Sequence, residues 1–163
     1  MASHIDMETN DPIELLTVMP IVFIALCFGG PLAEELGWRG FAQERLQQTM
    51  GPAWAGVLVG LAWSFWHIPI TILLPSAYVN LPLVWFLPNV VALGLWQAWL
   101  YVRSNGSVLL CLLFHAAGNL VMGALGFPVL NDRVRTIFVG LNGIVAVYLF
   151  VILQKRSVSQ ATT

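Results

Sequence analysis

The 163-residue chain is 58% hydrophobic and only 9% charged, with a formal net charge of −1. Soluble domains carry about 25% charged residues, so this is a membrane composition, and its first partner is the lipid bilayer. No basic patch exists to neutralise phosphates, which argues against a nucleic-acid partner.

Residues 1–12 are a polar N-terminal segment. Within it Met1-Ala-Ser-His4, followed by a second methionine at Met7, reads as an expression remnant, so His4 is no site candidate. No cleavable signal peptide is apparent, because the first apolar run leads directly into charged residues. The expected fold is an all-α membrane protein, a polytopic bundle of about five transmembrane helices. They form one domain over 13–154 and end in a polar tail at 155–163. The five apolar runs are 13–33, 53–74, 81–102, 107–130 and 136–153, each long enough for about 30 Å of hydrocarbon at 1.5 Å per residue. Turn chemistry separates them at Gly51-Pro52, Pro75-Ser76, Ser104-Asn105-Gly106 and Asn131-Asp132. Helices are the expected form because lipid cannot satisfy an exposed backbone, and no alternating strand pattern points to a barrel. Pro20, Pro69 and Pro88 are placed to kink their helices, and Gly29-Gly30-Pro31 to break the first one. Gly94, Gly118, Gly123 and Gly126 read as points of close helix approach. Cys27 and Cys111, both inside apolar runs, read as small buried hydrophobes rather than a disulfide. Arg45, Arg103, Lys155 and Arg156 outnumber Arg133 and Arg135 on the other side, which puts the Gly51 turn and the C-terminus in the cytoplasm.

The motif core, 31–120, opens on Pro31-Leu-Ala-Glu34-Glu35-Leu-Gly-Trp-Arg39-Gly40. Charge at the end of an apolar run is expensive and marks a functional-site hypothesis. On a helix Glu35 and Arg39 stand at i and i+4 and can pair. Glu34 is turned about 100° from Glu35, which leaves it as the free carboxylate. Glu34 lies as many residues before Met50 as His67 lies after Gly51. In an antiparallel hairpin those equal counts mean equal depth, roughly 24 Å from the turn along each axis. Trp63 is one turn from His67 on the same face. His115 and Asn119, again at i and i+4, follow the third break on the same side of the bundle. Spacing alone therefore brings a carboxylate pair, two imidazoles and an amide towards one level.

Glu34-Glu35-x-x-x-Arg39, then an aromatic-x-x-x-His67, then His115-x-x-x-Asn119 resembles the three motifs of the CAAX-protease and bacteriocin-processing (CPBP, or Abi) intramembrane proteases. Arg39-Gly40-Phe41 and His67-Ile68-Pro69 agree as flanks. Trp63 stands where that family usually has Phe, and many relatives carry extra helices before the first motif. The resemblance implies an enzyme that hydrolyses a peptide bond in or at a bacterial-type cell membrane. Glu34 would activate a water with help from His67, while His115 and Asn119 would stabilise the oxyanion. Glu35 and Arg39 would complete the catalytic set. The implied substrate is a peptide or a prenylated protein, with a bacteriocin leader equally compatible.

Other hydrolytic chemistries lack their residues. There is no Gly-x-Ser-x-Gly elbow and no His-Glu-x-x-His helix. Asp132 is the only aspartate beyond the N-terminal segment, which removes an aspartyl dyad. A divalent metal such as zinc stays open as a cofactor, with Glu34, His67 and His115 as candidate ligands. A metal-free, glutamate-activated water is the preferred mechanism. The competing class is a non-enzymatic scaffold, or a proton or metal-ion relay using the same cluster. Against the relay stands the lack of the inverted repeats common in transporters.

Overall fold

The computed structural model describes residues 12–73, 83–124 and 130–161, and all their regular structure is helical. Helix α1 (Pro12–Phe28) is followed at once by α2 (Gly30–Gly37). Gly29 ends the first, and Pro31 sits in the opening turn of the second, where a missing N–H leaves no bond unmade. The break bends the path by 40°. A π-helical turn, Trp38–Gln43, carries α2 into α3 (Glu44–Leu73). Helix α3 is itself interrupted at Gly51, whose φ of 78° and ψ of 160° are closed to other residues at low cost. Helices α4 (Leu83–Arg103), α5 (Val108–Ala124) and α6 (Asp132–Ala161) complete the chain. The predicted break at Pro75-Ser76 and the glycine at Gly126 lie outside the described residues.

The π turn has a geometric role. Pro31, Glu35, Arg39 and Gln43, four residues apart, are all buried. In an α-helix each four-residue step overshoots a full turn by about 40°, so the row would swing off its face. The wider π turn, with its i→i+5 bonding, advances less per residue and takes that drift back. One continuous polar edge therefore faces inward from the start of α2 to the start of α3.

Among the described residues the five expected spans are seen only in part. By length and composition, Leu83–Arg103 and Asp132–Lys155 can each cross a membrane, and the broken pair Thr17–Phe28 with Gly30–Pro69 supplies a third if it counts as one. Helix α5 is apolar but shorter, at 17 residues. The reduction has a local cause. The first apolar run is cut at Gly29, and its continuation is the charged motif rather than a turn to a new span. The result is an all-α bundle with two to three helices able to span.

Its packing is inside-out relative to a soluble domain. The largest fully buried side chains include Arg39, Gln43, Gln97 and Glu35, whereas Ile137, Leu141, Ile144 and Val147 of α6 are more than half exposed. Apolar groups on the outside suit lipid, and the chain is an integral membrane protein. Helix α3 crosses α4 at glycines: a Cβ on Gly94 would fall 2.5 Å from the Gly60 Cα, and one on Gly56 would fall 2.7 Å from the Ala98 Cβ. Gly118 and Gly123 have nothing among the described residues within 4 Å of an added Cβ, so the close approach expected there is not seen among them. Helix α6 closes the other side of α4 through Ala92, Leu95 and Ala146, and through Ala53, Ala98 and Leu153. Helices α1 and α2 lean on α5, and this brings the first motif against His115. Cys27 and Cys111 are both free thiols.

Candidate active site

Three elements supply the site. Helix α2 and the π turn carry Glu34, Glu35 and Arg39; α3 after its break carries Trp63 and His67; α5 carries His115 and Asn119.

Glu35 is fully buried and saturated on one oxygen. Its Oε1 accepts from Arg39 Nη1 at 2.9 Å and from His115 Nδ1 at 2.8 Å. The first contact is the i, i+4 pair expected from spacing. The second joins α2 to α5. Arg39 also lies with its guanidinium carbon 4.8 Å from the centre of the Trp63 ring, so a cation–π contact supplements the ion pair.

Glu34 points elsewhere and is only half-buried. Its Oε2 accepts from the Trp63 indole N–H at 2.6 Å, and a Cβ on Gly30 would lie 2.9 Å from its Oε1. His67 is joined to Glu34 through Trp63, which bonds the carboxylate and packs against the imidazole. Its Nδ1 lies 2.8 Å from the Trp63 carbonyl oxygen. A carbonyl can only accept, so Nδ1 carries the hydrogen and a neutral ring keeps Nε2 as its acceptor. The same reasoning gives His115 an Nδ1–H directed at the Glu35 carboxylate.

The Trp63 ring is central to this arrangement. Its centroid is 5.8 Å from that of His67 and 5.0 Å from that of His115. Phe86 and Trp66 close on the other faces of His67. Sequence reasoning missed the indole N–H as a partner of Glu34. The signal was available, since Trp in place of Phe adds one donor atom at the level assigned to the carboxylate. Asn119, one turn beyond His115, is exposed and makes no hydrogen bond among the described residues. The structure thus draws Glu34, Arg39, His67 and His115 around one indole, with Glu35 behind Arg39 and His115 and Asn119 exposed one turn beyond.

Three ligands for a metal do not converge. Among the described residues no group of three or more His, Cys, Asp or Glu side chains could hold an ion.

A family model described as Type II CAAX prenyl endopeptidase Rce1-like matches residues 16–121, a stretch containing every site candidate. CAAX prenyl protease 2 of Methanococcus maripaludis is 30% identical over 108 residues. That similarity covers 63% of this chain but 39% of the relative, so the chain spans well under half of the relative's length.

Proposed function

Because this chain belongs to the Type II CAAX prenyl endopeptidase Rce1-like family, we propose that it is an intramembrane endopeptidase. It would cleave a peptide bond of a membrane-associated substrate, with a prenylated C-terminal peptide as the first class to test. The observation carrying the proposal is the division of labour between adjacent carboxylates. Glu35 is held by Arg39 and His115, while Glu34 keeps one oxygen without a hydrogen bond among the described residues and is held by Trp63, which packs against His67.

The chemistry follows from that division. Glu34 takes a proton from water while the Nε2 of His67 accepts the other hydrogen and orients the lone pair. The hydroxide adds to the scissile carbonyl carbon, and the carbonyl oxygen becomes an oxyanion. Collapse breaks the C–N bond, and the proton held by Glu34 passes to the departing amine, so protons balance across the cycle. The oxyanion needs donors. The Asn119 amide is one, free of protein partners among the described residues. His115 is the other, and its position makes a specific demand. With Nδ1–H given to Glu35, Nε2 donates only when the ring carries both protons. One such oxyanion donor is typically worth about 3 kcal/mol.

The test uses the full chain in detergent micelles with a fluorogenic farnesylated peptide ending in Cys-aliphatic-aliphatic-X. Cleavage by the unaltered chain, lost in Glu34→Ala while the thermal midpoint is kept, is the expected result. An active Glu34→Ala would sink the assignment of the base.

A further inference from the structure

The mechanism above uses Trp63 for nothing, yet it touches Glu34, Arg39 and both imidazoles of the site. Its N–H reaches Glu34 Oε2 at 2.6 Å, its ring face takes Arg39, its edges meet both imidazoles, and its carbonyl fixes the His67 tautomer. The side chain is 3% exposed, so no solvent competes for the indole donor. We propose that Trp63 is a positioning residue for the general base: its N–H holds Oε2 of Glu34, so that Oε1 is the oxygen that receives the proton from water. The proposal rests on Glu34 being that base.

Two features make the choice of oxygen one-sided. An indole nitrogen is a donor only, so it can hold a carboxylate oxygen but never remove a proton from it. Oε2 is thereby committed. On the other side, Oε1 lies over the Cα of Gly30, where an added Cβ would be 2.9 Å away. The carboxylate is confined between an N–H on α3 and a bare backbone at the start of α2, and so cannot rotate to exchange its oxygens without losing its bond. Holding a base in one orientation acts on the barrier rather than on substrate affinity.

A substitution that removes the donor while keeping the ring decides the matter. Trp63→Phe removes both the N–H and part of the ring. Replacement of Trp63 by 3-benzothienylalanine exchanges only the N–H for sulfur, with the bicyclic shape retained. Both variants are assayed on the farnesylated peptide beside Glu34→Ala, with thermal midpoints recorded. We expect the benzothienyl variant to lose about tenfold to a hundredfold in kcat, the worth of a hydrogen bond to a charged group. KM should stay within about twofold, and the thermal midpoint should be unchanged. Full kcat in the benzothienyl variant overturns the proposal, whether or not Trp63→Phe is impaired, because the ring and not the donor would then matter. A second readout needs no activity. The indole proton resonance of Trp63, assigned by its loss in Trp63→Phe, should move upfield in Glu34→Ala, and a resonance that stays put overturns the hydrogen bond. Failure of the base assignment looks different: Glu34→Ala itself would then cleave the peptide.

Discussion

Replacing Glu35 by alanine should destabilise the protein far more than replacing its neighbour Glu34. Glu35 and Arg39 are both fully buried, and Glu35 Oε1 is the acceptor for Arg39 and for His115. Two losses follow from its removal. The interhelical bond from His115 is the smaller, since hydrogen bonds between membrane helices average about 0.6 kcal/mol and reach about 1.7. The larger is the guanidinium left without its counter-charge, which typically costs about 3–5 kcal/mol. For a chain of this size, 1 kcal/mol moves the thermal midpoint by roughly 2–4 °C, so Glu35→Ala should melt about 6–20 °C lower. Tryptophan fluorescence of the detergent-solubilised protein during heating gives the midpoint. A paired control separates charge from packing. Glu35→Leu combined with Arg39→Met removes both charges and should regain most of the loss, because apolar replacement of a buried pair is often near neutral. If Glu35→Ala melts within 3 °C of the unaltered protein (under about 1 kcal/mol on this scale), or the double variant is no better than the single, the reasoning about a buried counter-charge is wrong.

The other expectations are more local. Gly94→Ala should cost about 1–3 kcal/mol of stability, because its Cβ would meet the Gly60 backbone at 2.5 Å; Gly118→Ala, with open space around it, should be neutral or stabilising by up to about 1 kcal/mol, and equal midpoints for the two would refute the crossing. Gly51→Ala should lower the midpoint through backbone strain of about 1–3 kcal/mol, readable in the same melt. Gly30→Ala should reduce kcat with little change in melting, since what lies 2.9 Å from the new methyl is the flexible end of Glu34; a fully active variant would show that the carboxylate has room to spare. Activity on the farnesylated peptide should survive treatment with a chelator, and elemental analysis should find no stoichiometric transition metal; loss of activity restored by zinc would instead require a ligand set that the described side chains do not form.

Depth along the helix axes was legible in the sequence, while rotation about them was only partly so. Equal residue counts on either side of Gly51 put Glu34 level with His67, whereas the 2.6 Å indole bond sets it against Trp63, one turn nearer the break. The Glu35–Arg39 pair followed from 3.6 residues per turn, a property of one helix. His115 bonds Glu35 rather than the freer Glu34, and this depends on how α5 is rotated against α2, which no spacing within either helix encodes. The number of spans was legible only in part, for a related reason. Hydropathy sees five apolar runs of sufficient length, but a break at Gly29 and a polar edge facing inward are invisible to it. Glycine positions divided the same way. Gly94 lies where helices cross, Gly118 and Gly123 do not, and the partners Gly56 and Gly60 could be found only from the crossing itself.

The π turn at Trp38–Gln43 means that the first motif is not portable as a string of letters. Written onto a regular helix, Glu-Glu-x-x-x-Arg would still pair its second acid with its arginine, since that needs a single turn. The residues beyond would leave the inner face, and Gln43 with its contact to the Pro52 carbonyl would rotate towards lipid. The orientation of α3, and with it the azimuth of Trp63 and His67, is therefore written partly in a local change of pitch. Forcing the same residues into regular α geometry, with none deleted, would swing everything downstream by about 100°, a change that no single side-chain substitution could reverse. In a membrane bundle assembled from rigid rods, such a discontinuity works as a phase adjustment, setting the angular relation between one rod and the next.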